Sequence, residues 1–86
     1  MTRYMVIERF RAGNSAAVYD RFAGLGHMLP DGLIYLDSWL SVDDCTCYQL
    51  METDSPQTFD NWIAHWNDLV DFEVLELKDK PTGSIS

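Results

Sequence analysis

The sequence predicts a single α+β domain whose strands and helices follow the order β-α-β-β-α-β. Three observations carry that prediction. Four short runs are rich in β-branched and aromatic residues. Two longer stretches repeat apolar residues at helical spacing. A length of 86 residues fits one domain and leaves no room for a second.

The first strand runs from Arg3 to Phe10, where Tyr4, Met5, Val6, Ile7 and Phe10 are apolar. Ala12-Gly13-Asn14 breaks it, and Asn14 or Ser15 can cap the following helix by accepting a free backbone N–H. Val18, Phe22, Leu25 and Leu29 then make one apolar stripe, with Asp20 and Arg21 off it. Gly24 and Gly26 weaken the last turn, and Pro30-Asp31-Gly32 signals a turn. The second strand spans Leu33 to Val42, with Asp43-Asp44 as a hairpin loop into a third strand from Cys45 to Thr53. Ser55 is expected to cap the second helix, with Pro56 at the first helical position, where its missing N–H is no loss. The buried stripe of that helix is Phe59, Trp62, Ile63, Trp66, Leu69 and Val70. Asp71 to Lys78 is the last strand. The domain thus covers residues 3–78, and residues 79–86, with Pro81 and Gly83, read as a flexible polar tail. Elements in this order suggest a split β-α-β fold, a four-stranded antiparallel sheet with both helices on one face. Right-handed crossovers put the first and third strands in the centre.

Fourteen acidic residues against six basic ones give a net charge of −8. Nucleic-acid affinity rests on Lys and Arg neutralising phosphates, so no nucleic-acid partner is expected. The same repulsion disfavours anionic membranes. No apolar run approaches the roughly 20 residues of a membrane helix. The charge serves solubility or steers a cationic ligand. Cys45 and Cys47 are too few and too close for a disulfide framework, so reduced thiols are expected. Met1-Thr2-Arg3 runs into the first strand with no leader-like apolar region or cleavage site, and a cytoplasmic protein is expected.

A sheet covered on one face alternates apolar and polar residues. These strands do not alternate cleanly. Tyr4 and Val6 oppose Met5 and Ile7; Ile34 and Leu36 oppose Leu33 and Tyr35; Phe72 and Val74 oppose Leu75 and Leu77. Two helices cover one face, and a second subunit is the simplest cover for the other, so a homodimer is expected.

The chain resembles the dimeric α/β barrels, a ferredoxin-like superfamily whose subunits have this element order and pack two sheets face to face. Within it, Met5-Val6-Ile7-Glu8-Arg9-Phe10, Asp37-Ser38-Trp39, Tyr48-Gln49-Leu50-Met51-Glu52 and Trp62-Ile63-Ala64-His65-Trp66 look like a family of short bacterial proteins classed as a domain of unknown function. The resemblance spans roughly Tyr4 to Leu77 and implies the fold without an activity. Better-known relatives include cofactor-independent monooxygenases, haem-degrading enzymes, polyketide cyclases and small isomerases, with ligands usually held between sheet and helices. The resemblance therefore implies a cofactor-independent enzyme, monooxygenase-, cyclase- or isomerase-like, acting on a small aromatic or polyketide-like ligand; the alternative reading is a non-catalytic homodimeric ligand-binding or interaction module.

The richest candidate cluster lies in the second helix. Trp62 and Trp66 sit on the apolar stripe, His65 at its edge and Asn61 farther round. Aromatics with a histidine and an amide suit a pocket for a flat apolar ligand, with His65 for proton transfer. The plainer reading makes the tryptophans core and His65 a boundary residue. The spacing around His65 does not match the iron-ligand pattern of haem-degrading relatives, and no cofactor is expected. On the strands, Asp37, Trp39, Cys47 and Gln49 share a face if the strands pair around Asp43-Asp44. A one-residue shift sets Gln49 with Ser38 instead. Asp37 is then a general base in a pocket or an ion-pair partner of Arg9 across a dimer. Trp39 and Tyr48 join Trp62 and Trp66 as expected pocket wall. His27 can cap the first helix. Two thiols and two histidines at unhelpful spacing leave no metal site expected.

The topology is shared with modules whose signatures are missing here. RNA-recognition domains need aromatics interleaved with Lys and Arg, and Thr46 to Glu52 has no base. Metal chaperones carry Cys-x-x-Cys after the first strand, where this chain has Arg11-Ala12-Gly13-Asn14. Ferredoxin clusters need four thiolates each, and no nucleotide-binding or nucleophile-elbow motif appears.

Overall fold

Alternation along the strands decides which side chains meet the helices. In the computed structural model, which describes residues 1–78, the elements are β1 (Thr2–Phe10), α1 (Ala16–Leu25), β2 (Ile34–Leu40), β3 (Thr46–Thr53), α2 (Gln57–Ile63) and β4 (Val70–Leu77). The sheet is antiparallel with strand order β2-β3-β1-β4, so β1 and β3 are central, as the crossover rule requires. This is the ferredoxin-like topology. The expected tail at 79–86 lies outside the described residues.

Register fixes the two faces. Val6 pairs with Gln49 and Val74, and Glu8 with Cys47 and Phe72. Tyr4, Val6, Glu8 and Phe10 are all buried beneath the helices. Met51, Phe59, Trp62, Trp66 and Leu33 complete the main core with Tyr4 and Val6. Burial of each large side chain stabilises the fold by roughly 1.5–3 kcal/mol. Trp62 meets Phe72 edge-on at 5.4 Å, and Tyr4 meets Phe59 edge-on at 5.0 Å.

Both helices differ from the sequence reading in extent. Ser15 stands at the N-cap of α1 but its side chain caps no helical N–H; Asn14 Oδ1, one residue earlier, accepts the Ala16 N–H (3.0 Å). Ser15 is engaged elsewhere: its Oγ and N–H both donate to the Asp44 carboxylate in the β2–β3 loop (2.8–3.1 Å). The helix stops at Leu25 because Gly26, at φ 70°, turns back and gives its N–H to Phe22 O. Leu29 therefore packs on the core from a loop. At α2 the helix opens one residue later than expected: Pro56, not Ser55, is the N-cap and Gln57 the first helical residue, and the Ser55 side chain caps no N–H. Its Oγ reaches Gln57 Oε1, while its own N–H is taken by Thr53 Oγ1.

α2 ends at Ile63, well short of the predicted stripe. A continuing helix would offer the His65 carbonyl to the Leu69 N–H. Arg21 Nη1 takes that carbonyl instead (2.8 Å), and Leu69 N–H goes to Trp66 O. Leu69 is half-buried in this turn region, and Val70, though buried, opens β4.

α1 buries little of its own surface against the sheet. None of its residues is fully buried; Val18 is half-buried, and Phe22 is 41% exposed. It is held mainly by polar ties, among them the fork of Arg21 on Asp68 (2.7 Å to each oxygen). Room is left between α1 and the sheet.

Candidate functional site

That room is a cavity of about 200 Å³. Its floor is the helix-facing side of the sheet: Glu8 and Phe10 from β1, Cys47 and Gln49 from β3, Tyr35 and Ser38 from β2. Val18, Tyr19 and Phe22 of α1 form the roof, and His27 and Trp66 close the sides. Tyr19 and Phe22 are 50% and 41% exposed, so the cavity meets solvent beside them.

The polar residues are there because strand geometry leaves them no alternative. Glu8 is in phase with Tyr4, Val6 and Phe10, and turning it outward would turn three core side chains outward too. Gln49 is likewise in phase with Cys47, Met51 and Thr53. Glu8 is 4% exposed and Gln49 8% exposed. Glu8 Oε2 and Gln49 Oε1 are fully buried without a hydrogen-bond partner among the described residues. A buried acceptor left unpaired costs roughly 1–3 kcal/mol, which makes two of them in one cavity notable. Burial away from water pushes the Glu8 carboxyl up to about 7. Burial pushes the Cys47 thiol up to about 11, with the nearby Glu8 charge adding to it. Neither thiol is in a disulfide.

His27 is placed by its own backbone. Its carbonyl accepts both indole N–H groups, from Trp62 (3.0 Å) and Trp66 (3.2 Å). Its ring meets Phe22 edge-on at 4.7 Å and Tyr35 at 4.9 Å. Desolvation holds its pKa below the usual histidine value, so the imidazole is neutral at pH 7. Tyr35 and Ser38 hydroxyls share a 2.5 Å hydrogen bond. A carboxyl that titrates near pH 7, unpaired acceptors and aromatic walls make a chamber with the size and chemistry for one small ring and for proton exchange. Among the described residues, no three His, Cys, Asp or Glu side chains cluster as metal ligands would. Among them, too, no helix is long and apolar enough to cross a membrane.

Residues 2–76 match the family described as Domain of unknown function (DUF3303). The chain belongs to the DUF3303 family. Comparison with curated proteins and with solved structures yields no match.

The DUF3303 cavity brings together few of the residues singled out from the sequence. Trp66 lines it. Trp62 is buried in the core, bound to the same carbonyl as Trp66. His65 and Asn61 are exposed and outside the cavity lining, since α2 ends before the helical wheel can carry His65 round. Asp37, Trp39 and Tyr48 are exposed too. Pairing sets Asp37 opposite Leu50 and Trp39 opposite Tyr48, on the face away from the helices. The register that would group Asp37 and Trp39 with Cys47 and Gln49 does not occur. An irregularity between Tyr35 and Asp37 shifts β2, and Ser38 faces Gln49 instead. Asp37 Oδ1 accepts from the Ser38 N–H (2.8 Å), and Arg9 pairs with Glu73 (3.1 Å) within the chain. Glu8 and Gln49, the residues that matter most in the cavity, carried one signal in sequence: each is a polar residue in phase with core-facing neighbours.

Proposed function

We propose that this DUF3303 protein binds a small, largely aromatic molecule between α1 and the sheet and acts on it as an acid–base catalyst through Glu8. The observation that carries the reading is the pair of buried acceptors, Glu8 Oε2 and Gln49 Oε1, left without partners in an aromatic-walled cavity. A ligand with a hydrogen-bond donor supplies the missing partner. A carboxyl near neutrality is matched to proton transfer at physiological pH. The reaction class this suits is isomerisation: Glu8 takes a proton from one atom of the ligand and returns it to another, with nothing else consumed. The volume limits the ligand to about one ring with a short substituent, since full drug-sized pockets run to roughly 300–1,000 Å³.

Benzyl alcohol, a ring with one donor, tests the site. Titrated into the labelled protein, it is expected to shift amide signals of Glu8, Cys47, Gln49 and Tyr35 saturably. Binding should tighten as pH rises through 7, because the ionised carboxylate is the better acceptor, and Glu8→Gln should flatten that dependence. Shifts confined to the open sheet face, or none at all, would remove the cavity from the function. Binding that obeys these rules with no turnover of any ring substrate would favour the alternative, a ligand-binding module.

The working unit in this proposal is a homodimer. The sheet face away from the helices carries Trp39 (51% exposed), Ile34, Leu36, Tyr48 and Leu75, all exposed. Its charges are largely paired along the edges: Arg3 with Glu52, Arg9 with Glu73 and Arg11 with Asp71. An apolar face with internally paired charges suits a second copy of itself. Native mass spectrometry is expected to give twice the chain mass, and Leu75→Lys to give a folded monomer. A wild-type monomer would end this part of the reading. Two free thiols also suit a reducing, cytoplasmic setting.

A further inference from the structure

We infer that the cavity under α1 selects a cationic ligand, a small ring bearing a protonated amine, over neutral and anionic rings of the same size. The inference rests on the cavity reading above and narrows its ligand class.

The two fully buried side-chain oxygens of the cavity that lack a partner among the described residues, Glu8 Oε2 and Gln49 Oε1, are both acceptors. No Lys or Arg is among the residues that line it. Arg21 lies over the Trp66 ring, 5.7 Å from its centroid, but its guanidinium is already engaged by both Asp68 oxygens and the His65 carbonyl. The titratable groups that line the cavity with Glu8 are the Cys47 thiol from β3, the Tyr19 phenol from α1, Tyr35 from β2 and the His27 imidazole from the loop. None is a cation at neutral pH, since His27 is held neutral by burial. An anionic ligand would therefore place a second negative charge beside Glu8 with nothing to offset it. An ammonium does the reverse. It gives Glu8 an ion-pair partner, donates to Gln49, and enters a cavity lined by the aromatic rings of Phe22, Tyr35 and Trp66, which favour cations. The chain's net charge of −8 attracts such a ligand from a distance.

Benzylamine, benzyl alcohol and benzoate share a ring and differ in the charge of one substituent. Isothermal titration of the full-length protein at pH 8 and moderate salt separates them. The expected order is benzylamine at least tenfold tighter than benzyl alcohol, with benzoate not binding. At pH 7 benzylamine binding should release protons, seen as a dependence of the heat on buffer ionisation enthalpy, because the ammonium ionises Glu8. Glu8→Gln should remove the preference for benzylamine over benzyl alcohol and abolish the proton release, while amide signals as dispersed as those of the wild type show that the variant keeps its fold. Benzyl alcohol binding as tightly as benzylamine, benzoate binding at all comparably, or a preference for the amine that survives Glu8→Gln would overturn the ammonium assignment and leave the cavity standing. No binding by any of the three would overturn the cavity reading along with it.

Discussion

Replacing Glu8 by Gln should stabilise this protein, and by an amount that depends on pH in a calculable way. Glu8 is 4% exposed, and its Oε2 has no partner. Its carboxyl is raised from an ordinary 4.5 to about 7 by desolvation. A raised acid favours the folded state only while protonated. The native fold therefore suffers no penalty below pH 4.5, a growing one between 4.5 and 7, and a constant one above. Linkage puts that penalty at about 1 kcal/mol at pH 5, about 2 at pH 6 and about 3 at pH 8. Glutamine has the same shape and never ionises. The difference in unfolding free energy between Glu8→Gln and wild type should thus be near zero at pH 4 and rise to about 3 kcal/mol at pH 8. That is a large share of the roughly 4–13 kcal/mol expected for a chain of this size. Urea unfolding at five pH values, followed by tryptophan fluorescence, reads it directly, and every other titration cancels in the difference. A difference that is flat across pH, or a variant less stable at pH 8 than the parent, would refute the buried, unpaired carboxylate.

Two further outcomes rest on the same packing. Trp62→Ala should lose roughly 3–5 kcal/mol, as large buried aromatics do, while Trp62→Phe should lose much less, because Trp66 still serves the His27 carbonyl; equal unfolding midpoints for Trp62→Ala and wild type would take Trp62 out of the core. The Arg21 fork holds the Asp68 carboxyl down at about 2, so Arg21→Ala should return its NMR titration midpoint to the usual aspartate range, and an unmoved midpoint would mean the ion pair does not persist in solution.

Much of this fold was legible before any coordinates. Turn residues such as Asn14, Gly26, Gly32 and Pro56 stand where elements begin or end, and β-branched and aromatic runs together with helical spacing identify all six elements. What stayed hidden were features set by partners distant in sequence. α2 ends where its bonds tighten to i→i−3, His65 N–H to Trp62 O and Trp66 N–H to Ile63 O, and Arg21, more than forty residues away, takes the His65 carbonyl just beyond. Without that knowledge a helical wheel drawn through Trp66 brings His65 toward the core. The β2 register turned on a single irregularity near Leu36, which shifts every later residue of that strand to the opposite face. The site itself was half-legible. Glu8 keeps step with Tyr4, Val6 and Phe10, and a carboxylate in a core-facing series is a stronger pointer to a buried polar site than a histidine at the margin of a helix. His27 gave no comparable sign, because its position depends on two indoles meeting one carbonyl.

The way α1 is fastened has a kinetic consequence. The Asp44 carboxylate holds its start at Ser15, Asp68 holds Arg21, and the two indoles hold the chain at His27 just past its end. A helix pinned at three points does not swing as a lid. Admission to the space beneath it then requires only rotation of Tyr19 and Phe22, both half in solvent, and exposed side chains turn on picosecond-to-nanosecond timescales. Guests should come and go without a slow opening step, with residence times set by how tightly they are held. For a chamber this small, exchange broadening in NMR spectra should track affinity alone and show no separate gating rate.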